Sequence, residues 1–158
     1  MKVRLYRLLL WAAVLGLMAV IFAFSAQHGA GSEEMTIAAA MPVAELLASM
    51  KEGADAETVM LMYVIFGTFL RKLAHLCEYA LLGLLLRLLC MSYGLQAPWL
   101  PFAVGTAYAA ADEIHQLFVP GRTGMLVDVV IDAIGVLLGI YSLSLIRKFR
   151  RKKHVHDP

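Results

Sequence analysis

The sequence predicts an all-α, polytopic membrane protein: four transmembrane helices in a compact bundle, with an extracytoplasmic loop and short-helix insert. Three observations carry this. Hydrophobic residues make up 61% of the 158 positions and charged residues only 16%, against roughly 45–50% and about 25% in soluble domains. The apolar residues fall in runs of about span length, broken by turn residues and charges. The basic residues gather on one side of the membrane if the chain crosses four times. The same composition excludes disorder, and a net charge of +2 gives no sign of a nucleic-acid partner.

The first span covers 8–24, LLLWAAVLGLMAVIFAF, behind Lys2, Arg4 and Arg7. Its uninterrupted run of 17 apolar residues exceeds the usual signal-peptide core of about 7–15, so an uncleaved helix is the better reading. Residues 25–70 form the outer insert. Residues 25–58 are rich in small and acidic residues, and Pro42 opens one short surface helix, PVAELLASM, at its first position. Residues 59–70 are a lead-in helix lying at the interface, since 59–91 is too long for one span of about 20 residues. The second span is 71–91. Tyr93 to Pro98 is a tight turn, and the third span runs over 98–116. The loop VPGRTG follows, then the fourth span over 125–146 and a basic tail over 147–158. The whole reads as one domain, 1–158.

Orientation follows from the charges. With four spans and a cytoplasmic amino terminus, the inner face holds Lys2, Arg4, Arg7, Arg87, Arg147, Lys148, Arg150, Arg151, Lys152 and Lys153, ten of fourteen basic residues. Eleven of twelve acidic residues lie in the outer half, Asp157 being the exception. A fifth crossing through 54–70 would push the basic tail outside. Both termini are therefore expected in the cytoplasm of a multi-pass plasma-membrane protein. Trp11 and Trp99 fall near the inner interface. Cys77 and Cys90 are separated by about 20 Å of helix, beyond disulfide reach, and read as buried apolar fillers.

Ionisable residues inside spans are costly and mark function by default. Arg71, Lys72, His75, Glu78 and Tyr79 open span two from outside. Asp112, Glu113, His115 and Gln116 close span three, Arg122 sits in the loop, and Asp128 and Asp132 open span four. At 100° per residue, Arg71, His75 and Glu78 share a face within about 60°, as do Asp128, Asp132, Gly135 and Gly139. The glycine pair is a small-xxx-small contact motif, so the aspartates on its stripe should point into the bundle. Gly105 with Ala109, and Ala107 with Ala111, offer the same spacing on span three. With neutral histidines, three cations (Arg71, Lys72, Arg122) and five carboxylates (Glu78, Asp112, Glu113, Asp128, Asp132) leave the cluster at minus two. That deficit invites a metal ion or protons.

FSAQ at the end of span one, RKLAHLCEYALLG at span two, and DEIHQLFVPGRTGMLVDVVIDAIGVLLG from span three into span four resemble the VanZ-like family. The three ordered blocks span nearly the whole chain except 28–70 and the tail. The resemblance implies a four-span helical membrane protein and an association with resistance to teicoplanin, a glycopeptide antibiotic; it supplies no mechanism. The motif residues it carries are Ser25, Gln27, Arg71, Lys72, His75, Glu78, Tyr79, Asp112, Glu113, His115, Gln116, Arg122, Asp128, Asp132 and Gly135.

Three functional readings stay open. Metal binding is suggested by His75-x-x-Glu78 and Asp112-x-x-His115, i, i+3 pairs of the kind used in di-metal bundles; a divalent metal such as zinc is the candidate cofactor. Catalysis is suggested by His75, Glu78, Asp112, Glu113 and His115 as acid–base groups acting on a lipid or lipid-linked substrate. No Gly-x-Ser-x-Gly motif accompanies them, and Ser25 is a weak nucleophile better read as capping span one. Binding or translocation without chemistry is the third. Here Arg71, Lys72 and Arg122, with Ser25, Gln27, Tyr79, Gln116, Asp128 and Asp132, would hold an anionic membrane-lipid headgroup, a lipid-linked cell-wall precursor or an amphiphilic glycopeptide antibiotic. A homo-oligomer would enlarge so small a transporter. The bland counterpart of all three is an ion-pair network that fixes helix register.

Overall fold

Every described element is a helix. The computed structural model describes residues 1–26, 29–50, 55–120, 122 and 124–156, with side chains outside 29–38 and 146–156. In order come α1 (Lys2–Ser25), α2 (Gly29–Ser49), α3 (Ala56–Ser92), α4 (Trp99–Gln116) and α5 (Leu126–His156). Among the described residues, three helices are long and apolar enough to cross a membrane: Lys2–Ser25, Ala56–Ser92 and Leu126–Leu145. The fourth expected span, α4, has 18 residues but is outside that set, because its last turn carries Asp112, Glu113, His115 and Gln116.

The second span and its lead-in are one helix rather than two. α3 runs for 37 residues, about 55 Å at 1.5 Å per residue, against a hydrocarbon core of about 30 Å. Asp55 starts it: its Oδ1 accepts from the Thr58 backbone N–H at 2.9 Å and from the Thr58 hydroxyl at 2.7 Å, satisfying a donor the first turn leaves bare. Nothing breaks the helix until the turn after Ser92, where Gly94 adopts φ +81°, a left-handed conformation open to glycine. The adjacent charges Arg71 and Lys72 look like a boundary in the sequence, but they do not stop a backbone ladder.

The insert differs too. Pro42 lies inside α2, which has 21 residues, instead of opening a short helix. Its missing N–H removes one rung. Ala40, Ala44 and Ala48 are buried one turn apart, and Ala40 and Ala44 of this smooth stripe pack with Tyr63, Phe66 and Leu70 of α3. α2 and the first half of α3 thus form a hairpin beyond the bundle.

α3 is the central helix, touching α1, α2, α4 and α5. Leu10, Val14 and Ile21 of α1 meet Tyr79, Leu82, Leu86 and Leu89 of α3, Ala109 of α4, and Val136 and Ile140 of α5. Around this core the outer surfaces stay apolar, with Leu9, Phe22, Leu81, Val104, Ile114, Val130 and Leu138 exposed, as helices facing lipid require. Cys77 is exposed on this surface, correcting its expected burial. Likewise only Gly105 and Ala109 of the small-residue pairs on α4 are buried; Ala107 and Ala111 face outward.

One end of the bundle is tied by α1 to the α3–α4 turn. Arg7 donates to the Ser92 carbonyl at 2.7 and 3.1 Å, its guanidinium lies 4.2 Å from the Tyr93 ring centre, and Trp11 donates to the Tyr93 hydroxyl at 3.3 Å. At the opposite end Arg122 donates to the Phe24 carbonyl at 3.1 Å. That second end brings together the close of α1, the middle of α3, the close of α4 and the start of α5.

Candidate functional site

The last turn of α4 reverses the usual soluble pattern. Asp112, Glu113 and Gln116 are buried while Ile114 and Leu117 face outward. Spacings of three and four residues place the polar set on one side, and apolar surroundings keep Ile114 and Leu117 on the other. Gln116 bridges the carboxylates: its Nε2 donates to Asp112 Oδ2 and to Glu113 Oε1, each at 3.2 Å. The second oxygen of Glu113 accepts from the Met125 backbone N–H at 2.9 Å. Met125 stands just before α5, so this carboxylate meets one of the donors that a helix start leaves unpaired. Gly124 allows the approach: a Cβ there would collide with the Glu113 carbonyl oxygen.

α5 delivers its aspartates against α3. Close contact of Gly135 with Leu76 and of Gly139 with Ala80 sets the register, and Asp132 lies one turn before this contact. Its carboxylate is 0% exposed. Asp132 Oδ2 stands 3.7 Å from His75 Nδ1, and neither Asp132 oxygen nor His75 Nδ1 has a hydrogen-bond partner among the described residues. One turn outward, half-buried Lys72 and Asp128 form an ion pair. Donor atoms of His75, Glu113 and Asp132, one from each of α3, α4 and α5, all lie within 4.8 Å of one another.

The structure therefore groups the expected residues differently from the sequence. Of the four expected metal ligands, His75 joins this group, whereas Glu78, Asp112 and His115 do not. Glu78 is half-buried on α3. Asp112 stays with Gln116, leaving its Oδ1 buried without a hydrogen-bond partner among the described residues. The His115 ring packs on Phe22 of α1, with centroids 4.5 Å apart. The physical reason is helix contact: α5 presses on α3 through glycine, which brings Asp132 to 3.7 Å from His75.

The remaining expected residues line or rim the cluster. Tyr79 and Ser25 are buried, and neither hydroxyl has a partner among the described residues. Tyr79 lies 6.4 Å from His75 and 6.3 Å from Tyr108, ring centre to ring centre. Arg71 is exposed at the rim. Arg122 is half-buried in the connecting loop, where burial and then the nearby Arg71 charge hold its pKa below the ordinary arginine value. Gln27 lies outside the described residues. Two polar residues of α4 were not anticipated. The Tyr108 hydroxyl donates to the Met18 carbonyl of α1 at 2.6 Å, and the Thr106 hydroxyl is buried without a partner among the described residues. The only signal for either was a polar group inside an apolar helix.

Among known proteins, the family described as VanZ/LLP1 matches residues 10–147. No curated protein and no solved structure matches the chain.

Proposed function

The chain belongs to the VanZ/LLP1 family, and from that premise we propose that it binds an anionic phosphate-bearing headgroup at the polar end of its bundle. The headgroup belongs to a membrane lipid or a lipid-linked wall precursor in the outer leaflet. In this reading four segments cross the plasma membrane: α1, the second half of α3, α4 and the apolar part of α5. α4 is about 27 Å long and keeps its polar side turned inward, so its composition understates how apolar its lipid-facing side is. Both termini are cytoplasmic by the charge bias, which puts the cluster at the outer surface. The family's association with resistance fits an envelope role, and interception of a wall precursor is the step at which glycopeptides such as teicoplanin would be countered.

The observation that carries the reading is the presence of two arginines at this end of the bundle, Arg71 exposed at the rim of α3 and Arg122 half-buried in the connecting loop. A guanidinium is a fork-shaped donor suited to phosphate. Lys72 stands one residue from Arg71 on α3.

Native mass spectrometry of the detergent-purified protein tests this. Anionic phosphatidylglycerol should be retained several-fold more than zwitterionic phosphatidylcholine. The double variant Arg71→Gln, Arg122→Gln should lose that preference. A preference unchanged in the variant, or absent from the parent, removes the headgroup reading.

A further inference from the structure

We propose that His75, Glu113 and Asp132 hold a divalent first-row transition metal, with zinc the representative ion. The site is independent of the arginine rim and of the headgroup reading.

The three side chains come from α3, α4 and α5 and place one donor atom each within 4.8 Å of the others. Such convergence from separate helices is not an accident of local spacing. Asp132 gives the second, independent observation. It is wholly buried, it points at His75, and both its oxygens lack hydrogen-bond partners among the described residues. A buried carboxylate without hydrogen-bond partners among the described residues is penalised. A histidine 3.7 Å away is beyond hydrogen-bond distance, so a simple His75–Asp132 hydrogen bond does not relieve it. The separation suits two ligands of one ion better. Legs of about 2.0–2.1 Å at a tetrahedral angle put donor atoms about 3.3 Å apart, a few tenths of an ångström from what is seen.

Glu113 is already oriented for such a role. Gln116 and the Met125 N–H hold its two oxygens at 3.2 and 2.9 Å, and a carboxylate oxygen accepting one hydrogen bond keeps a lone pair for a metal. Outer partners of this type fix the direction of a ligand. One imidazole and two carboxylates suit zinc or manganese. Charge also favours the ion: a dication balances the two carboxylates of the group, Glu113 and Asp132. Three protein ligands leave a fourth position open to water or another oxygen ligand, as in zinc sites that perform chemistry.

The test uses the full chain, purified in detergent without a polyhistidine tag and carrying His154→Ala and His156→Ala in every sample, so that the tail contributes no imidazole. Protein stripped with chelator is loaded with zinc, desalted and measured for bound metal. About one zinc per chain is expected, and cobalt in its place should give the visible absorption of a four- or five-coordinate ion. Asp132→Asn and Glu113→Gln should each weaken zinc binding more than about tenfold, whereas Glu57→Gln, exposed in the first turn of α3, should bind as the parent does. A parent that retains no stoichiometric zinc overturns the site, and this readout stands even if a variant fails to fold. Zinc retained equally by a folded Asp132→Asn protein also overturns it. Loss of the phosphatidylglycerol preference in the arginine variant leaves the zinc result unaffected, so the two readings fail separately.

Discussion

A Cβ added to Gly135 would stand 2.6 Å from the Leu76 carbonyl oxygen, so α3 and α5 touch backbone to backbone one turn beyond Asp132. The contact recurs where Gly139 meets Ala80 and where Gly83 of α3 meets Val136 of α5. Both helices run in the same direction through it, since Leu76 faces Gly135 and Ala80 faces Gly139. The charged groups are thereby placed by glycine packing in the apolar half of the bundle. This resolves an apparent paradox: buried charges are poor glue, yet here they sit in a fixed constellation. Packing supplies the precision, and the charges occupy it.

The first prediction tests that packing. Gly135→Val and Gly139→Val should each lower the thermal midpoint in detergent, because the added atoms force α3 and α5 apart. Overpacking of this type costs about 1–3 kcal/mol, and backbone that cannot yield puts these sites at the upper end. Gly16→Val is the control, since nothing lies within 4 Å of a Cβ there. Equal melting of Gly135→Val and Gly16→Val, followed by gel filtration on heating, would contradict the close approach.

A second prediction separates the two cross-helix pairs. Lys72 and Asp128 keep 32% and 23% side-chain exposure, so their coupling in a double-mutant cycle with Lys72→Met and Asp128→Asn should be about 1 kcal/mol or less. The exchanged pair Lys72→Asp, Asp128→Lys should remain folded. Coupling of several kcal/mol would mean that this rim pair, rather than glycine packing, sets the α3–α5 register.

Much of this arrangement was legible in the sequence, and the gaps have physical causes. Apolar runs gave α1, the second half of α3 and the start of α5, because lipid exposes whole faces and leaves no ambiguity about period. Gly135 and Gly139 announced their contact through spacing alone. The hairpin was missed because Pro42 read as the start of a short helix and the small and acidic residues before it as loop, whereas Ala40, Ala44 and Ala48 form a packing stripe that runs through it. Every ionisable residue of the site stood out by its cost in a span. Their grouping did not, since i, i+3 pairing sees one helix at a time. His115 shows the limit: sharing a helix with Asp112 did not keep it from turning toward Phe22.

Topology gives a third prediction. In a background with Cys77→Ala and Cys90→Ala, a cysteine replacing Ser32 should react with an impermeant maleimide in intact cells. One replacing His154 should react only after the membrane is opened. The basis is the ten-to-four distribution of basic residues. Reversed labelling would place the polar cluster on the cytoplasmic side and exclude any outer-leaflet ligand.

The last prediction concerns the resistance associated with the family. Charged groups at the centre of a bilayer cost about 2.5–3.5 kcal/mol each on insertion scales, less near the interface. One or two polar residues suffice to fix helix register, yet this bundle places Asp112, Glu113, Gln116 and Asp132 in its buried interior. A set that exceeds the structural need is retained for what it binds. Asp132→Asn, Glu113→Gln and His75→Ala should therefore abolish the envelope phenotype while membrane abundance, read by immunoblot, stays within about twofold of the parent. Glu78→Gln and His115→Ala, outside the three-helix group, should weaken it less. Deleting residues 150–158 should be milder still, because Arg147 and Lys148 continue to anchor α5. Full phenotype from Asp132→Asn at normal abundance would make the buried constellation a structural device alone. Loss from the tail deletion instead would move the function to the cytoplasmic end.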